Sequence, residues 1–306
     1  MNLFHKKDQY KGYNIYSMKK YVDKKRIIFT TIIVILIIIT LGFIIYYSVD
    51  TTIRLKNAKR FEQKLIEYES SQEELQKQEK ERQVKIPKLT DEGKQNIKGI
   101  YKSETKRVFL TFDDGPSVNT ADVLDILKSN DIKATFFVLG TQVEKMPEMV
   151  KRAYQEGHYI ANHGYSHQYS QIYSSPETVL QEFNQCNSAV AKAIDVPEYN
   201  SHLFRFPGGS VGGKYANLKA EAVTLLEQNN IMHVDWNALT GDAEKSSPDE
   251  EYLMNNLQKT TQNKNSIVIL MHDAQAKRVT VEFLPKLIEF FQQQGYQFEN
   301  FYSIIK

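Results

Sequence analysis

The feature that most restricts this chain is an uncharged apolar run near its N-terminus. The run extends over 23 residues, from Ile27 to Val49, and is rich in isoleucine and valine. About 20 consecutive apolar residues in a helix are enough to cross a bilayer. A secretory signal peptide is the alternative, but its apolar region would be shorter and would end at small residues. Because this run ends just after Tyr46 and Tyr47, we favour a retained transmembrane anchor over 27–49.

Basic residues flank the apolar run unequally. Eight Lys and Arg residues precede it within 1–26, and five follow it between Arg54 and Lys64. Cytoplasmic flanks of membrane helices carry the excess of Lys and Arg. The asymmetry therefore predicts a single-pass protein of the cell membrane, with segment 1–26 in the cytoplasm and the C-terminal domain outside the cell.

A polar segment over 50–104 follows the predicted anchor. Its first part is rich in Glu, Lys and Gln and contains neither Gly nor Pro before Pro87. From Ala58 to Leu75, residues that are all apolar except Gln72 recur at alternating spacings of three and four, over less than three heptads. We interpret this segment as a solvated helical stalk and linker, with a weak stalk-mediated dimer as the alternative. As a helix it would hold the next domain roughly 50 Å from the membrane at about 1.5 Å per residue.

Charge and cysteine content exclude several classes of partner and cofactor. The formal net charge is only +2, which argues against a nucleic-acid partner held by bulk electrostatics. The single cysteine, Cys186, excludes an internal disulfide and any multi-cysteine metal site. Its apolar neighbours are spaced as on a helix, so we expect a buried, inert thiol.

Beyond residue 105, short apolar runs alternate with amphipathic segments. The apolar runs predict seven strands, at 107–112, 134–139, 159–161, 202–206, 231–236, 267–271 and 296–301. The amphipathic segments predict six helices, at 120–130, 147–156, 176–194, 217–229, 248–262 and 280–294. This alternation predicts one α/β domain over 105–306, whose mainly parallel sheet is one or two strands short of an eight-stranded barrel.

Polar residues lie at strand ends, where parallel α/β folds place their sites. Asp113 and Asp114 follow the first predicted strand, directly before a Gly-Pro turn. Adjacent carboxylates point in different directions, so one can bind a metal while the other accepts a proton. An Asx turn at the strand end is the structural alternative.

Two histidines follow the third predicted strand. His163 and His167 are four residues apart, a spacing that can direct two imidazoles to one ion. Two unrelated loop histidines are the alternative. Together with Asp114 they make three protein ligands and leave a position for water, as catalytic zinc sites do.

Three more strand ends carry polar residues. Arg205 precedes a Gly-rich turn, Asp242 follows the fifth predicted strand, and His272 ends the sixth. Each signal is weak alone, because buried Arg–Asp pairs and strand-end histidines are commonly structural. Five such strand ends in one chain nevertheless indicate a single polar site.

These motifs resemble the five motifs of the polysaccharide deacetylases, which form carbohydrate esterase family 4 and share the NodB-homology domain. They occur in the family's order and extend over 105–306. The resemblance implies a distorted (β/α) barrel of about seven parallel strands. It also implies one divalent metal ion, with zinc expected and cobalt or another divalent ion as the alternative.

The resemblance implies the chemical roles of five residues. Asp113 corresponds to the general base and His272 to the general acid. The metal ligands correspond to Asp114, His163 and His167. In such a site the metal activates a water molecule and polarises the amide carbonyl, and the acid protonates the departing sugar nitrogen.

The resemblance also implies supporting roles. Arg205 would position the base, and Asp242 would tune the catalytic histidine. Leu270 would line a pocket for the acetyl methyl group, the Gly208 N–H would stabilise the oxyanion, and Trp236 would contact the substrate beside them.

Three residues depart from the common family pattern. Gly208 stands where an aromatic residue often follows Arg-x-Pro, and Ala243 stands where tryptophan often follows the motif aspartate. Gly164 replaces the Ser or Thr that usually follows the first metal histidine. No departure removes a ligand or a proton-transfer group, so we expect them to change substrate preference and not the reaction.

The sequence thus predicts metal-dependent removal of N-acetyl groups from a cell-envelope polysaccharide, with N-acetylglucosamine of peptidoglycan as the expected substrate. An enzyme fixed in the membrane reaches only polymer near its own cell, which favours a self-made wall glycan. The alternatives are deacetylation of N-acetylmuramic acid or poly-N-acetylglucosamine, an acetyl esterase acting on O-acetylated sugars, and a catalytically inactive wall-binding scaffold.

Overall fold

The computed structural model describes residues 15–84 and 86–305, and it divides into two compact units that meet in sequence at Glu79 and Lys80. Part of the expected cytoplasmic segment, 1–14, lies outside the described residues. The described residues of the first unit lie in one helix, α1 (Ile15–Val84), which has 70 residues and extends past Glu79.

Helix α1 contains the predicted anchor. Its apolar stretch is long enough and apolar enough to cross a membrane, and none of it is buried by protein. The hydroxyls of Thr30 and Thr31 both donate to the carbonyl of Ile27, so these polar groups are satisfied inside the helix. Such internal pairing is what an apolar surrounding requires of a polar side chain. The stalk residues 51–77 are exposed as well.

The second unit is built on a parallel sheet. Its strands are β1 (Arg107–Asp113), β2 (Thr135–Val138), β3 (Tyr159–Asn162), β4 (Leu203–Phe204), β5 (Met232–His233), β6 (Ala238–Leu239), β7 (Ser266–His272) and β8 (Gln297–Glu299). Seven of them follow the order β5-β4-β3-β2-β1-β7-β6, and β8 pairs with the start of β1. The sheet is a half-barrel, which confirms the predicted (β/α) fold. Strand β6 was not predicted, because its two residues form no apolar run of their own, whereas the equally short β4 and β5 lie within the longer predicted runs 202–206 and 231–236.

Nine helices accompany the strands within 86–305. They are α2 (Asp91–Lys98), α3 (Thr120–Ser129), α4 (Gly140–Lys145), α5 (Pro147–Gln155), α6 (Tyr169–Ile172), α7 (Pro176–Ile194), α8 (Ala216–Gln228), α9 (Glu250–Thr261) and α10 (Arg278–Gln293), with a 3₁₀ turn at Phe301–Ser303. All six predicted helices are confirmed within a few residues. The N-terminus of α7 shows why: Ser175 accepts a hydrogen bond from the Thr178 N–H, and proline occupies the first turn.

The alternation of side chains along β1 separates two faces of the sheet. Val108 and Phe112 belong to the core between the sheet and its outer helices, whereas Phe109 belongs to the core inside the half-barrel. Successive side chains of a strand point to opposite faces, so Thr111 and Asp113 lie on the inner face with Phe109. The strand therefore changes from apolar to acidic along one face as it approaches its carboxyl end.

The inner core is completed from outside the predicted domain limits. Ile97 and Ile100, which come from α2 and the turn after it, are 3% and 0% exposed and pack with Phe109 and Phe301. Thr90 caps α2 by accepting a hydrogen bond from the Gly93 N–H at 3.0 Å. The compact unit thus begins before the expected boundary at residue 105. The sequence did not predict this, because two buried isoleucines in a polar linker are too few to indicate a packed helix.

Candidate active site

The polar residues that were predicted at strand ends lie together at one edge of the half-barrel. Because all strands are parallel, their carboxyl ends meet at the same edge. Asp113 and His272 are register partners on the neighbouring strands β1 and β7, and both follow inner-face residues two positions earlier. A cavity of about 280 Å³ opens there. Its lining includes nine predicted residues: Asp113, Asp114, His163, His167, Gly208, Trp236, Asp242, Leu270 and His272.

Three of these residues form a cluster that could hold a metal ion. One ligand atom from each of Asp114, His163 and His167 lies within 4.8 Å of the other two. The Asp114 Oδ1 atom is 3.5 Å from His163 Nε2 and 3.4 Å from His167 Nε2. Two imidazole nitrogens and one carboxylate oxygen are a donor set that zinc accepts, with room for water in the remaining position.

Two observations show that this cluster fits a cation. The Asp114 Oδ1 atom is buried and has no hydrogen-bond partner, which is costly for a carboxylate unless a cation is beside it. The Nδ1–H of His163 donates to the Arg205 carbonyl at 2.8 Å, so the unprotonated Nε2 faces the cluster. Burial, the largest effect, lowers the pKa of His163 to about 3 and keeps the imidazole neutral and able to ligate.

The backbone at two of the expected ligands is strained. Asp114 has φ = 69° and His167 has φ = 57°, in the left-handed region that side-chain-bearing residues rarely adopt. Residues persist in that region only where their surroundings hold them, and such positions concentrate at functional sites.

Glu182 of α7 holds the loop between the two histidines. Its carboxylate, 1% exposed, accepts hydrogen bonds from the Tyr165 N–H at 2.6 Å and from the Ser166 N–H and hydroxyl, both at 2.7 Å. The sequence analysis did not identify Glu182. One feature of the sequence could have indicated it: Glu182 is an acidic residue on the otherwise apolar face of α7, directly before Phe183.

The expected base is fixed by an arginine. The Arg205 guanidinium donates to Asp113 Oδ1 at 2.8 Å and to the Thr111 hydroxyl at 2.7 Å, and it lies 3.9 Å from the centre of the Phe137 ring. Both charged residues are almost fully buried. Burial raises the pKa of Asp113, and the positive charge of Arg205 opposes that rise without cancelling it.

The expected acid is paired with a second carboxylate. Asp242 accepts from His272 twice, from Nδ1 at 3.1 Å and from the backbone N–H at 2.8 Å. Burial alone would lower the pKa of His272, but the hydrogen bond and charge of Asp242 outweigh it and raise the pKa to about 9. His272 is therefore a cation at neutral pH, with Nδ1 directed to Asp242 and Nε2 left for the cavity.

Two residues that the sequence analysis missed hold Asp242 in place. The Thr280 hydroxyl donates to its carboxylate at 2.7 Å, and Lys277 Nζ donates to its backbone carbonyl at 2.9 Å. Burial would raise the pKa of Asp242, yet the hydrogen bonds from His272 and Thr280 together with the His272 charge lower it. Neither residue could be identified from the sequence, because both lie around the start of α10 and far along the chain.

The three departures from the family pattern have different surroundings. A Cβ at Gly164, where φ is 89°, would lie 3.0 Å from an Ile172 side-chain carbon, and the loop is braced instead by Ser166 and Glu182. Ala243 lines the cavity without a ring. At Gly208, the position of the missing aromatic is occupied by the hydroxyl of Tyr169, 2.6 Å from where a Cβ would stand.

A buried carboxylate, a histidine with a raised pKa and a cluster that could hold a cation face one small cavity at the carboxyl edge of a parallel half-barrel. Such a combination is suited to the hydrolysis of an acyl bond. The profile of the family described as polysaccharide deacetylase matches residues 101–225.

Individual relatives agree with that match. YheN of Bacillus subtilis, assigned to the polysaccharide deacetylases, is 36% identical over 63% of this chain and 66% of its own length. A peptidoglycan-N-acetylglucosamine deacetylase of Bacillus cereus is 33% identical over 65% of this chain and 71% of its own. The solved structure of a Streptococcus mutans CE4 esterase superposes with a TM-score of 0.62 at 30% identity, over 68% of this chain and 90% of that one. This chain belongs to the polysaccharide deacetylase family, carbohydrate esterase family 4.

Proposed function

We propose that this protein hydrolyses the N-acetyl group of N-acetylglucosamine residues in peptidoglycan, releasing acetate and leaving glucosamine in the polymer. The observation that carries the proposal is the meeting of the Asp113–Arg205 pair, the Asp114, His163 and His167 cluster and His272 at one cavity.

The cation is the one component that the chain itself does not supply. A divalent ion held by Asp114, His163 and His167 would polarise the amide carbonyl and lower the pKa of water. Zinc is our proposal for this ion, on the chemistry of the donor set.

Asp113 is placed to accept the proton of the attacking water. Arg205 binds its Oδ1 atom, while its Oδ2 atom lies 3.8 Å from His163 Nε2, on the side of the cation-binding cluster. The raised pKa makes this carboxylate a stronger base than an exposed aspartate. The same Arg205 contact keeps the carboxylate oriented while its proton is taken up.

His272 is placed to protonate the leaving nitrogen. An amine anion departs poorly, so the C–N bond breaks as the nitrogen receives a proton. With a pKa raised to about 9, His272 carries that proton at neutral pH, and Asp242 holds the imidazolium in one orientation. The products are acetate and a free amino sugar.

Backbone and apolar groups complete the pocket. Gly208 is exposed and lines the cavity, and within residues 86–305 its N–H has no acceptor, so this N–H is available to stabilise the oxyanion. Leu270, on the inner face of β7, is suited to the acetyl methyl group, and Trp236 forms an apolar wall.

The glucosamine assignment is supported by the Bacillus cereus relative, whose name states that substrate. The Streptococcus mutans relative is named an esterase, which favours removal of O-acetyl groups as the second candidate. The same base, cation cluster and acid could cleave an ester, since an alkoxide leaves more readily than an amine anion.

The wall substrate agrees with a membrane location. The apolar part of α1 fits a single-pass anchor, and the Lys and Arg excess before it fits a cytoplasmic N-terminus. We therefore place the unit from Lys80 onward outside the cell. Protease added to intact, wall-stripped cells should digest that unit, and its protection would overturn this location.

The proposed reaction is tested with the full chain in detergent micelles, supplied with zinc and incubated with purified peptidoglycan. Mass spectrometry of the digested muropeptides should locate the loss of one acetyl group on the glucosamine residue. The matched Asp113→Asn protein should leave the muropeptides unchanged. Loss of the acetyl group from the muramic residue, or acetate release from O-acetylated xylan only, would contradict the proposal.

A further inference from the structure

Tyr169 occupies a place that the family usually gives to another residue. Tyr169 is the first residue of α6, directly beyond the loop that carries the expected metal ligands. Its hydroxyl oxygen lies 2.6 Å from the position that a Cβ would have at Gly208. The side chain that is absent from the turn after β4 is thus replaced in space by one from the loop after β3.

The surroundings of Tyr169 leave its hydroxyl available. The ring lies edge-on to His167 and Tyr173, with centroid distances of 5.6 and 5.7 Å, and these contacts fix its orientation. The side chain lines the catalytic cavity and is 42% exposed. Within residues 86–305 no group forms a hydrogen bond with the Tyr169 hydroxyl.

A tyrosine in this setting offers two contacts to a sugar. Its ring is an apolar surface of the kind that packs against the C–H face of a pyranose, and its hydroxyl can donate or accept at the polar rim. Trp236 lines the same cavity, so a bound sugar would meet an aromatic ring from each of two different loops.

We propose that Tyr169 binds the substrate, with its hydroxyl forming a hydrogen bond to the acetamido sugar in the space left open by Gly208. This inference rests on the proposed function and adds to it a specificity-determining residue outside the motif positions. Tyr169 takes no part in proton transfer, so its loss weakens substrate binding more than turnover.

The only tryptophan of the chain makes the binding measurable. Trp236 lies in the cavity wall, so its fluorescence reports an occupant without any label. The full-length Asp113→Asn protein in detergent, loaded with zinc, serves as the reference because it should bind without consuming the ligand. The probe is the β-1,4-linked pentamer of N-acetylglucosamine.

In this background Tyr169→Phe should raise the Kd for the pentamer about threefold to tenfold, as the loss of one hydrogen bond predicts. Tyr169→Ala should raise it further, since the ring contact is lost too. In the otherwise native enzyme, Tyr169→Phe should raise KM by a similar factor with kcat nearly unchanged. Tyr296→Phe is the control: Tyr296 lines a different cavity that includes neither Trp236 nor any residue of the site, so loss of its hydroxyl should leave the Kd unchanged.

Measuring the zinc content of the variants shows whether Tyr169 binds the sugar directly or only supports the neighbouring ligand His167. Tyr169→Phe keeps the ring beside His167, so the variant should hold the same amount of zinc as the reference. A Tyr169→Phe protein that binds the pentamer as tightly as the reference, or that binds weakly only because it has lost zinc, would overturn the inference. Failure of the reference itself to bind the pentamer would instead overturn the proposed function, and the inference with it.

Discussion

At the scale of single residues, the proposed proton donor, His272, depends on the neighbouring carboxylate of Asp242. Asp242 accepts the Nδ1–H of His272 and raises the pKa of that histidine to about 9 against the opposing effect of burial. His272 must be protonated to act, so activity should be retained below that pKa and lost as the pH rises through it.

Removing the negative charge of Asp242 should therefore move the basic limb of the profile of kcat/KM against pH. In Asp242→Asn, burial lowers the pKa of His272 and only the weaker effects of the Asp113 and Asp114 charges still oppose it, so the fall in kcat/KM should begin at a lower pH and reduce activity at neutrality. The profile of kcat/KM against pH, measured from acetate release, checks this.

Thr280, which donates to Asp242 at 2.7 Å, provides a graded comparison. Thr280→Ser keeps the hydroxyl and should leave the basic limb of the kcat/KM profile at the same pH. Thr280→Val removes the hydroxyl and should move this limb by less than Asp242→Asn does. An unchanged basic limb in Asp242→Asn would show that another group is the acid.

Residues of the site differ in how far the sequence reveals them. Asp114, His163 and His167 could be predicted because each lies within a short motif next to a strand end, and the structure brings their ligand atoms together. Glu182 and Tyr169 could not, because each acts on a loop or turn that only the tertiary fold brings beside it.

At the scale of secondary-structure elements, α2 and the turn after it show how a short amphipathic helix becomes part of a core. Ile100 is fully buried and packs inside the half-barrel, under the strands that carry the site. Truncation of a buried isoleucine removes its transfer free energy and leaves a cavity.

Ile100→Ala should accordingly lower the free energy of unfolding of the second unit by about 2–5 kcal/mol. Denaturant titration followed by Trp236 fluorescence measures this directly. Lys102→Ala, an exposed change two residues away, should stay within about 0.5 kcal/mol of the parent. Equal stability of the Ile100→Ala protein and its parent would show that α2 and its following turn are not part of the cooperative unit.

Element prediction succeeded where patterns were long. The 19 residues of α7 and the seven-residue strands β1 and β7 carry enough periodicity to be recognised. Strand β6 and helix α6, with two and four residues, do not. Such elements are fixed by pairing and packing with distant parts of the chain, which local sequence does not encode.

At the scale of the whole molecule, the chain joins an apolar helix that no protein covers to a half-barrel whose cavity faces solvent. The fold class followed from the order of strands and helices. Strand alternation accounts for the positions of Asp113 and His272, which share the inner face as register partners, whereas the other candidate ligands and acids lie in loops beyond the strand ends. We propose that the two neighbouring carboxylates have different roles, with Asp114 as a cation ligand and Asp113 as the base.

Zinc content and acetate release, measured together on the full chain, test that difference in roles most directly. Asp113→Asn should keep its zinc but lose about 10²–10⁴-fold in turnover, which is the usual contribution of a positioned base. Asp114→Ala should lose both zinc and activity, because it removes one of three protein ligands. An Asp113→Asn protein with normal turnover, or an Asp114→Ala protein with full zinc content, would contradict the account.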